Sequence, residues 1–204
     1  MKLTLIINGF MSLLLTVSYL SSKIIVDGYV LNGGEWECNR LHYLGWYVTD
    51  NSVYRNEIRN HVGIADNEWN GVIIYEYEER PRFYEQSYRP YEYAVIFIDL
   101  EYLPIRSILG VTDLRILNGE IYLAYVTFNQ GPYIGGYYID DNHFRHVVNH
   151  ELGHVLGLGH ESRHGPTVLM YPNDAPYTDN DIWYPTIDEI NGVNYLYSPA
   201  GCHV

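Results

Sequence analysis

Cysteine is scarce in this sequence: Cys38 and Cys202 are the only two among 204 residues. Two thiols cannot complete a cysteine-rich zinc site by themselves. They flank the body of the chain, and a disulfide between Cys38 and Cys202 is open to it in an oxidising compartment. The sequence leaves bonded and free states equally open. Positive charge is also short, with 12 lysines and arginines against 25 acidic residues and a formal charge of -13. That balance argues against nucleic-acid binding, which needs a basic face. After the first 22 residues no run is apolar enough to cross a membrane. Internal repeats and low-complexity tracts are missing too. Tyrosine, by contrast, is abundant at 22 residues, which reads first as aromatic packing and second as a substrate surface.

Lys2 precedes "LTLIINGFMSLLLTVSYLSS", an apolar stretch closing in small residues. This is the layout of a secretory signal peptide, assigned to residues 1–22. Thr16-Val17-Ser18 and Leu20-Ser21-Ser22 offer cleavage sites. Asn8 and Gly9 interrupt the run and favour a cleaved signal over an uncleaved signal anchor. A short connector is expected over 23–39, broken at Gly33-Gly34, and a single packed domain over 40–204. The expectation is an acidic, secreted, extracellular protein with no membrane contact beyond the targeting segment. The sequence is silent on oligomeric state.

"LHYLGWYVTD" alternates as a first strand, and "NSVYRNEIRNHVGIADNEWNGV" reads as a helix. Asn51 or Ser52 would cap that helix, and Val53, Ile58, Val62 and Trp69 would form its buried stripe. Strands are expected at Val72–Glu79, across "YAVIFIDLEY" and at Glu120–Phe128. The glycine-rich "NQGPYIGG" and a short strand "YYID" follow. A helix then starts near Asn142, and an irregular segment runs from about His160 to Pro185. A last helix, "TIDEINGVNYLY", carries a capping box at Thr186 and Glu189. This order implies an α+β domain of three-layer α/β/α-like type. It would hold one mixed, mostly parallel, twisted sheet, an active-site helix and a C-terminal helix.

Within that domain, "HELGHVLGLGH" spans His150 to His160. Residues i and i+4 of a helix share a face, so His150 and His154 can hold one metal ion. Glu151 stands beside them, placed to reach a water on the metal rather than the metal itself. Gly157 can adopt the positive φ that ends a helix abruptly and lets the chain return His160 as a third ligand. Three imidazoles with an open fourth position mark a catalytic zinc rather than a structural one.

This arrangement, together with Met170 in "TVLMYP", resembles the metzincin metallopeptidases, whose methionine turn lies beneath the zinc. Within them the chain is most similar to the matrixins, the matrix metalloproteinase family. The similarity extends to "LAYVTFNQGPYIGGYYIDD" and to "IDEINGVNYLYSP", and covers roughly Leu41 to Ser198, faintly before Leu114. Tyr125 and Tyr138 replace histidines that hold the family's second, structural zinc, so that ion is not expected. Asp140 and Asp141 leave calcium open without a full ligand set. The family's Pro-Arg-Cys-Gly latency motif does not occur. Glu161 stands where matrixins carry Ser or Thr. Astacins carry Glu there, but they also place tyrosine where this chain has Pro172.

The resemblance implies peptide-bond hydrolysis at one catalytic zinc, with Glu151 as general base and Met170 as an apolar floor. Asp188 is expected to bond the methionine-turn backbone. An extended polypeptide substrate would add itself along the edge of strand Glu120–Phe128, bonding near Leu123, Ala124 and Tyr125. The S1′ pocket would lie between the active-site helix and Tyr171, Pro172 and Asn173. His146 would sit at its floor, ionising near neutral pH. A non-catalytic zinc-binding adhesion or decoy module of the same fold is the alternative, and the retained Glu151 argues against it.

Overall fold

The computed structural model describes residues 25–26, 29–37, 40–41, 44–49, 54–72, 83–86, 94–105, 107–131 and 140–197. The signal segment, Cys38, Cys202, Tyr138, the first helix's cap and most of the strand expected at Val72–Glu79 lie outside them. So do "YYID" before Asp140 and much of the glycine-rich stretch. Val72 itself closes a helix.

The described chain runs β1 (Ile25–Val26), β2 (Tyr29–Val30), β3 (Glu35–Trp36), β4 (Leu44–Val48), α1 (Arg55–Val72), β5 (Phe83–Glu85), β6 (Ala94–Glu101), β7 (Gly110–Leu117) and β8 (Glu120–Asn129). It continues with α2 (Asp141–Val155), α3 (Ala175–Asn180) and α4 (Ile187–Tyr197). β1 and β2 form a separate two-stranded pair. The other six strands form one sheet in which β5, β4, β6 and β8 lie side by side and parallel, with β3 also parallel to β8. β7 pairs antiparallel with the opposite side of β8 and is the sheet's edge on that side. The fold is thus α+β with a mixed, mostly parallel sheet, an active-site helix and a C-terminal helix.

Strand alternation decides which face is covered. Ile96, Ile98 and Leu100 of β6 stand in register with Ala124, Val126 and Phe128 of β8, and all six are buried. Over this face lie both long helices. α1 contributes Ile58, Val62, Ala65 and Trp69, a stripe at helical spacing with no exposure. α2 contributes Phe144, edge-on to Phe128 at 5.0 Å. The Trp69 indole ties the two helices together by donating to the carbonyl of Asn149 at 3.3 Å. On the opposite face Phe97 stacks on Tyr125 at 5.7 Å, and Tyr125 remains 41% exposed.

Three features depart from the expectations. The stretch read as a connector is built into the domain: Trp36 is 1% exposed and its indole donates to the carbonyl of Val155 at 2.8 Å. The strand Glu120–Phe128 is internal, flanked by β6 and β7, so it offers no edge to a substrate. Residues 110–117 form the edge instead, because Asn118 and Gly119 fold the chain back with φ of 54° and 88°. Two successive positive φ values are what a tight hairpin turn requires. Finally, the segment after His160 is not wholly irregular, since it contains the short helix α3.

Candidate metal centre and cleft

α2 begins at Asp140, whose carboxylate accepts from the backbone N–H of His143 at 2.9 Å. It ends where Gly157 takes φ of 94°. A side chain there would be strained by that φ, and its Cβ would fall 2.6 Å from the carbonyl oxygen of Gly34. Beyond the turn the chain lies on the N-terminal segment. Asn32 N–H donates to Gly157 O at 2.8 Å and Gly159 N–H to Val30 O at 2.7 Å. This bed brings His160 back against the helix.

The three imidazoles converge. His160 Nε2 lies 3.2 Å from His150 Nε2 and 3.1 Å from His154 Nε2. The other ring nitrogen of two of them is held elsewhere: His150 Nδ1 donates to Leu169 O at 2.9 Å and His154 Nδ1 to Leu158 O at 2.8 Å. A proton on Nδ1 leaves the Nε2 lone pair unprotonated, so these nitrogens aim lone pairs at a common point. Such a cluster is repulsive unless a cation sits at its centre, and three neutral nitrogen donors suit zinc. Burial and the neighbouring imidazoles push His150 well below its ordinary pKa, which keeps it in the ligand form.

Glu151 is 4% exposed. Burial pushes its carboxyl up to about 7, and the Thr112 hydroxyl, donating to Oε2 at 2.6 Å, pulls the other way. Thr112 is the functional-site residue that the sequence reading missed. Met170 is buried beneath α2, where a Cβ on Gly153 would collide with its sulfur. Its backbone N–H donates to Glu189 Oε1 at 2.9 Å. The acidic residue that braces the methionine turn is therefore Glu189, and the expectation for Asp188 is corrected. Asp188 instead faces His164 at 3.5 Å. A one-residue step on α4 turns the side chain by about 100°, which separates the two roles. Glu189 Oε2 also accepts from the Thr186 N–H at 2.8 Å, completing that half of the capping box. Glu161 is buried against Arg163, and its N–H donates to Met170 O at 2.8 Å. Burial works to raise the Glu161 carboxyl, but the hydrogen bonds and charge of Arg163 outweigh it and hold the group below its usual range.

A cleft of about 580 Å³ opens over these groups. One wall is α2, through His146, Val147, His150, Glu151 and His154; the other is β7, through Gly110, Val111, Thr112, Leu114 and Ile116. Pro172, Asn173 and Asp174 close one end, while Tyr171 stands outside the lining. Leu123, Ala124 and Tyr125 do not line the cleft either: Ala124 is fully buried in the core and Tyr125 is on the outer face. β7 lies between them and the cleft. His146 reaches the cleft but is only 2% exposed, with Nδ1 bonded to Ile182 O at 2.9 Å. Burial lowers its pKa to about 4, so it is neutral at pH 7 and does not switch there. Asp140 is already committed, capping α2 and accepting from the Tyr177 hydroxyl at 2.7 Å. A second group, Glu57, His61 and Asp141, is looser, with 3.9 Å between His61 and an Asp141 side chain that is 79% exposed.

A helix carrying two histidines and a glutamate, a third histidine after a glycine turn and a buried methionine turn define a metallopeptidase domain of the metzincin class. The matrixin family model matches residues 60–198, and the chain belongs to that family. It is 44% identical over 54 residues, 26% of its length, to metalloendoproteinase 1-MMP of Arabidopsis thaliana. It is 35% identical over 94 residues, 41% of its length, to interstitial collagenase A of Mus musculus. With matrix metalloproteinase-16 of Homo sapiens it shares 29% identity over 190 residues, 84% of its length. The aligned stretches span 14%, 19% and 28% of those relatives respectively. Among solved structures, high choriolytic enzyme 1, a hatching enzyme zinc-protease from Oryzias latipes, is similar with a TM-score of 0.47 and 13% identity. That likeness covers 86% of this chain and 98% of the other. Among the described residues no helix is long and apolar enough to cross a membrane.

Proposed function

We propose that the chain is a secreted zinc endopeptidase that hydrolyses extended polypeptides. The observation that carries this reading is the convergence of the His150 and His154 Nε2 atoms on His160 Nε2, at 3.2 and 3.1 Å, beside a buried carboxylate and under an edge strand. His150, His154 and His160 hold the zinc, which supplies the Lewis acidity that peptide hydrolysis needs. Glu151 takes the proton of the attacking water at Oε1 and passes it to the nitrogen of the departing amine. A carboxyl raised to about 7 can do both near neutral pH. Met170 backs the ligand helix, and Glu189 fixes the turn that carries it.

The substrate lies along β7, whose outer edge pairs with no strand among the described residues. An added strand would satisfy that edge and lay its scissile bond across the histidines. The side chain following the bond enters the space between α2 and Pro172–Asp174, which His146 and Val147 floor. Apolar Val147 and a neutral His146 favour an uncharged side chain there. The signal-peptide layout of residues 1–22 supports secretion.

The test pairs zinc content with cleavage of a quenched fluorescent peptide library by the parent and by Glu151→Gln. A single zinc per chain, with chelator-sensitive cleavage that falls by about 10²–10⁴-fold in the variant, is expected. Zinc without cleavage by either protein would sink the peptidase reading and favour a binding module. A folded chain that takes up no zinc would sink the metal centre itself.

A further inference from the structure

β7 runs opposite the catalytic helix, and its alternation sends Gly110, Thr112 and Leu114 to the same face. Two of these residues meet the Glu151 carboxylate. The Thr112 hydroxyl donates to Glu151 Oε2 at 2.6 Å, and its oxygen lies 3.2 Å from the Glu151 carbonyl. A hydroxyl has one proton to give, and the shorter bond to the carboxylate is the stronger claim on it. Gly110, two residues earlier, leaves space where any side chain would intrude: a Cβ there would lie 2.7 Å from Glu151 Oε1 and 2.8 Å from its Cγ. The φ of Gly110 is not positive, so close approach rather than turn geometry calls for glycine.

We infer that Thr112 is a positioning residue for Glu151, working in a cradle that Gly110 keeps open. Oε2 is tied to the edge strand, the carboxylate loses its freedom to rotate, and Oε1 is left as the oxygen that exchanges protons. The strand that receives the substrate therefore also sets the base. A site held from one rigid frame avoids the misplacement that costs rate when base and substrate drift independently. This inference rests on the peptidase reading above.

The experiment uses the zinc-loaded chain with Thr112→Val, which keeps the side chain's shape and removes its donor, and Thr112→Ser, which keeps the hydroxyl. Thr112→Val should lower kcat by about 10- to 100-fold, the usual effect of losing an outer hydrogen-bond partner. KM and zinc content should stay close to the parent's, because neither the metal nor the substrate's pairing edge is touched. Thr112→Ser should recover most of the rate. A second measurement needs no turnover: in the metal-free protein, the Tm shifts of Thr112→Val and Glu151→Ala should fail to add in the double variant. Unchanged kcat in Thr112→Val, or a loss confined to KM or to zinc content, overturns the positioning role and leaves the peptidase standing. Additive Tm shifts overturn the bond itself. A parent that cleaves no peptide brings down the peptidase reading and this role with it.

Discussion

The two walls of the cleft are encoded in opposite ways. The helix wall is local: His150, Glu151 and His154 lie within one turn and a half, and its buried face would be expected of any amphipathic helix at that spacing. The strand wall is non-local. Gly110 and Thr112 reach Glu151 only because a hairpin turn at Asn118–Gly119 folds β7 onto β8 in the observed register. The first wall is buried, so altering it shows as lost stability as well as lost turnover. β7 is half open to water, so disturbing it should act more on substrate than on the fold.

The largest stability effect expected beyond the catalytic variants concerns His146. Its folded pKa is about 4 against an ordinary value of 6.5, because burial disfavours the cation. Between those values the unfolded chain binds a proton that the native chain refuses. The stability tied to neutral His146 is therefore complete above about pH 6.5 and lost as pH falls towards 4, up to roughly 3 kcal/mol. Urea unfolding of the parent and of His146→Leu from pH 7 to 4 measures it. The parent should lose more stability on acidification, and parallel curves would show that His146 is not held neutral.

A smaller effect separates two adjacent acids beneath the same wall. Glu189→Ala strands the buried Met170 N–H and should cost about 1–3 kcal/mol in unfolding experiments. Burial and the neighbouring Glu189 raise Asp188 to about 6, and it makes no bond to the methionine turn. At pH 7 its removal should cost nothing or stabilise slightly. Equal losses from the two substitutions would refute the assignment of the brace to Glu189.

The same contrast explains what could be read in advance. The ligand spacing, the glycine turn after α2, the methionine turn and the Thr186–Glu189 cap depend on residues a few positions apart, where helix geometry dictates the outcome. Which acid of the 188–189 pair meets Met170 depends on how α4 is rotated about its axis, and packing alone decides that. β3 and the segment before it are only two-residue strands, too short for alternation to register, although Trp36 anchors them firmly. β7 had a legible signal in Asn118–Gly119 between two alternating stretches, the pattern that marks a tight hairpin. Reading that turn as a hairpin moves the edge from Leu123–Tyr125 to Gly110–Leu117 and brings Thr112 into the site. Family likeness pointed the other way, because it aligned "LAYVTF" with a substrate-binding edge strand.

The smallest effect expected is also the sharpest probe of the strand wall. Gly119 holds φ of 88°, and a Cβ placed there would meet no atom within 4 Å, so Gly119→Ala costs only backbone conformation. That cost is about 1 kcal/mol. Gly165 offers a matched control, with φ of 64°, similarly open space and a position outside β7 and β8. Both alanine variants should lose comparable stability in urea titrations and keep their zinc. Their peptide kinetics should differ. Gly119→Ala loosens the turn that sets β7 against β8 and should raise KM for extended peptides, whereas Gly165→Ala should leave KM alone. If KM responds equally to the two, the substrate does not use β7, and the cleft is read from the wrong strand.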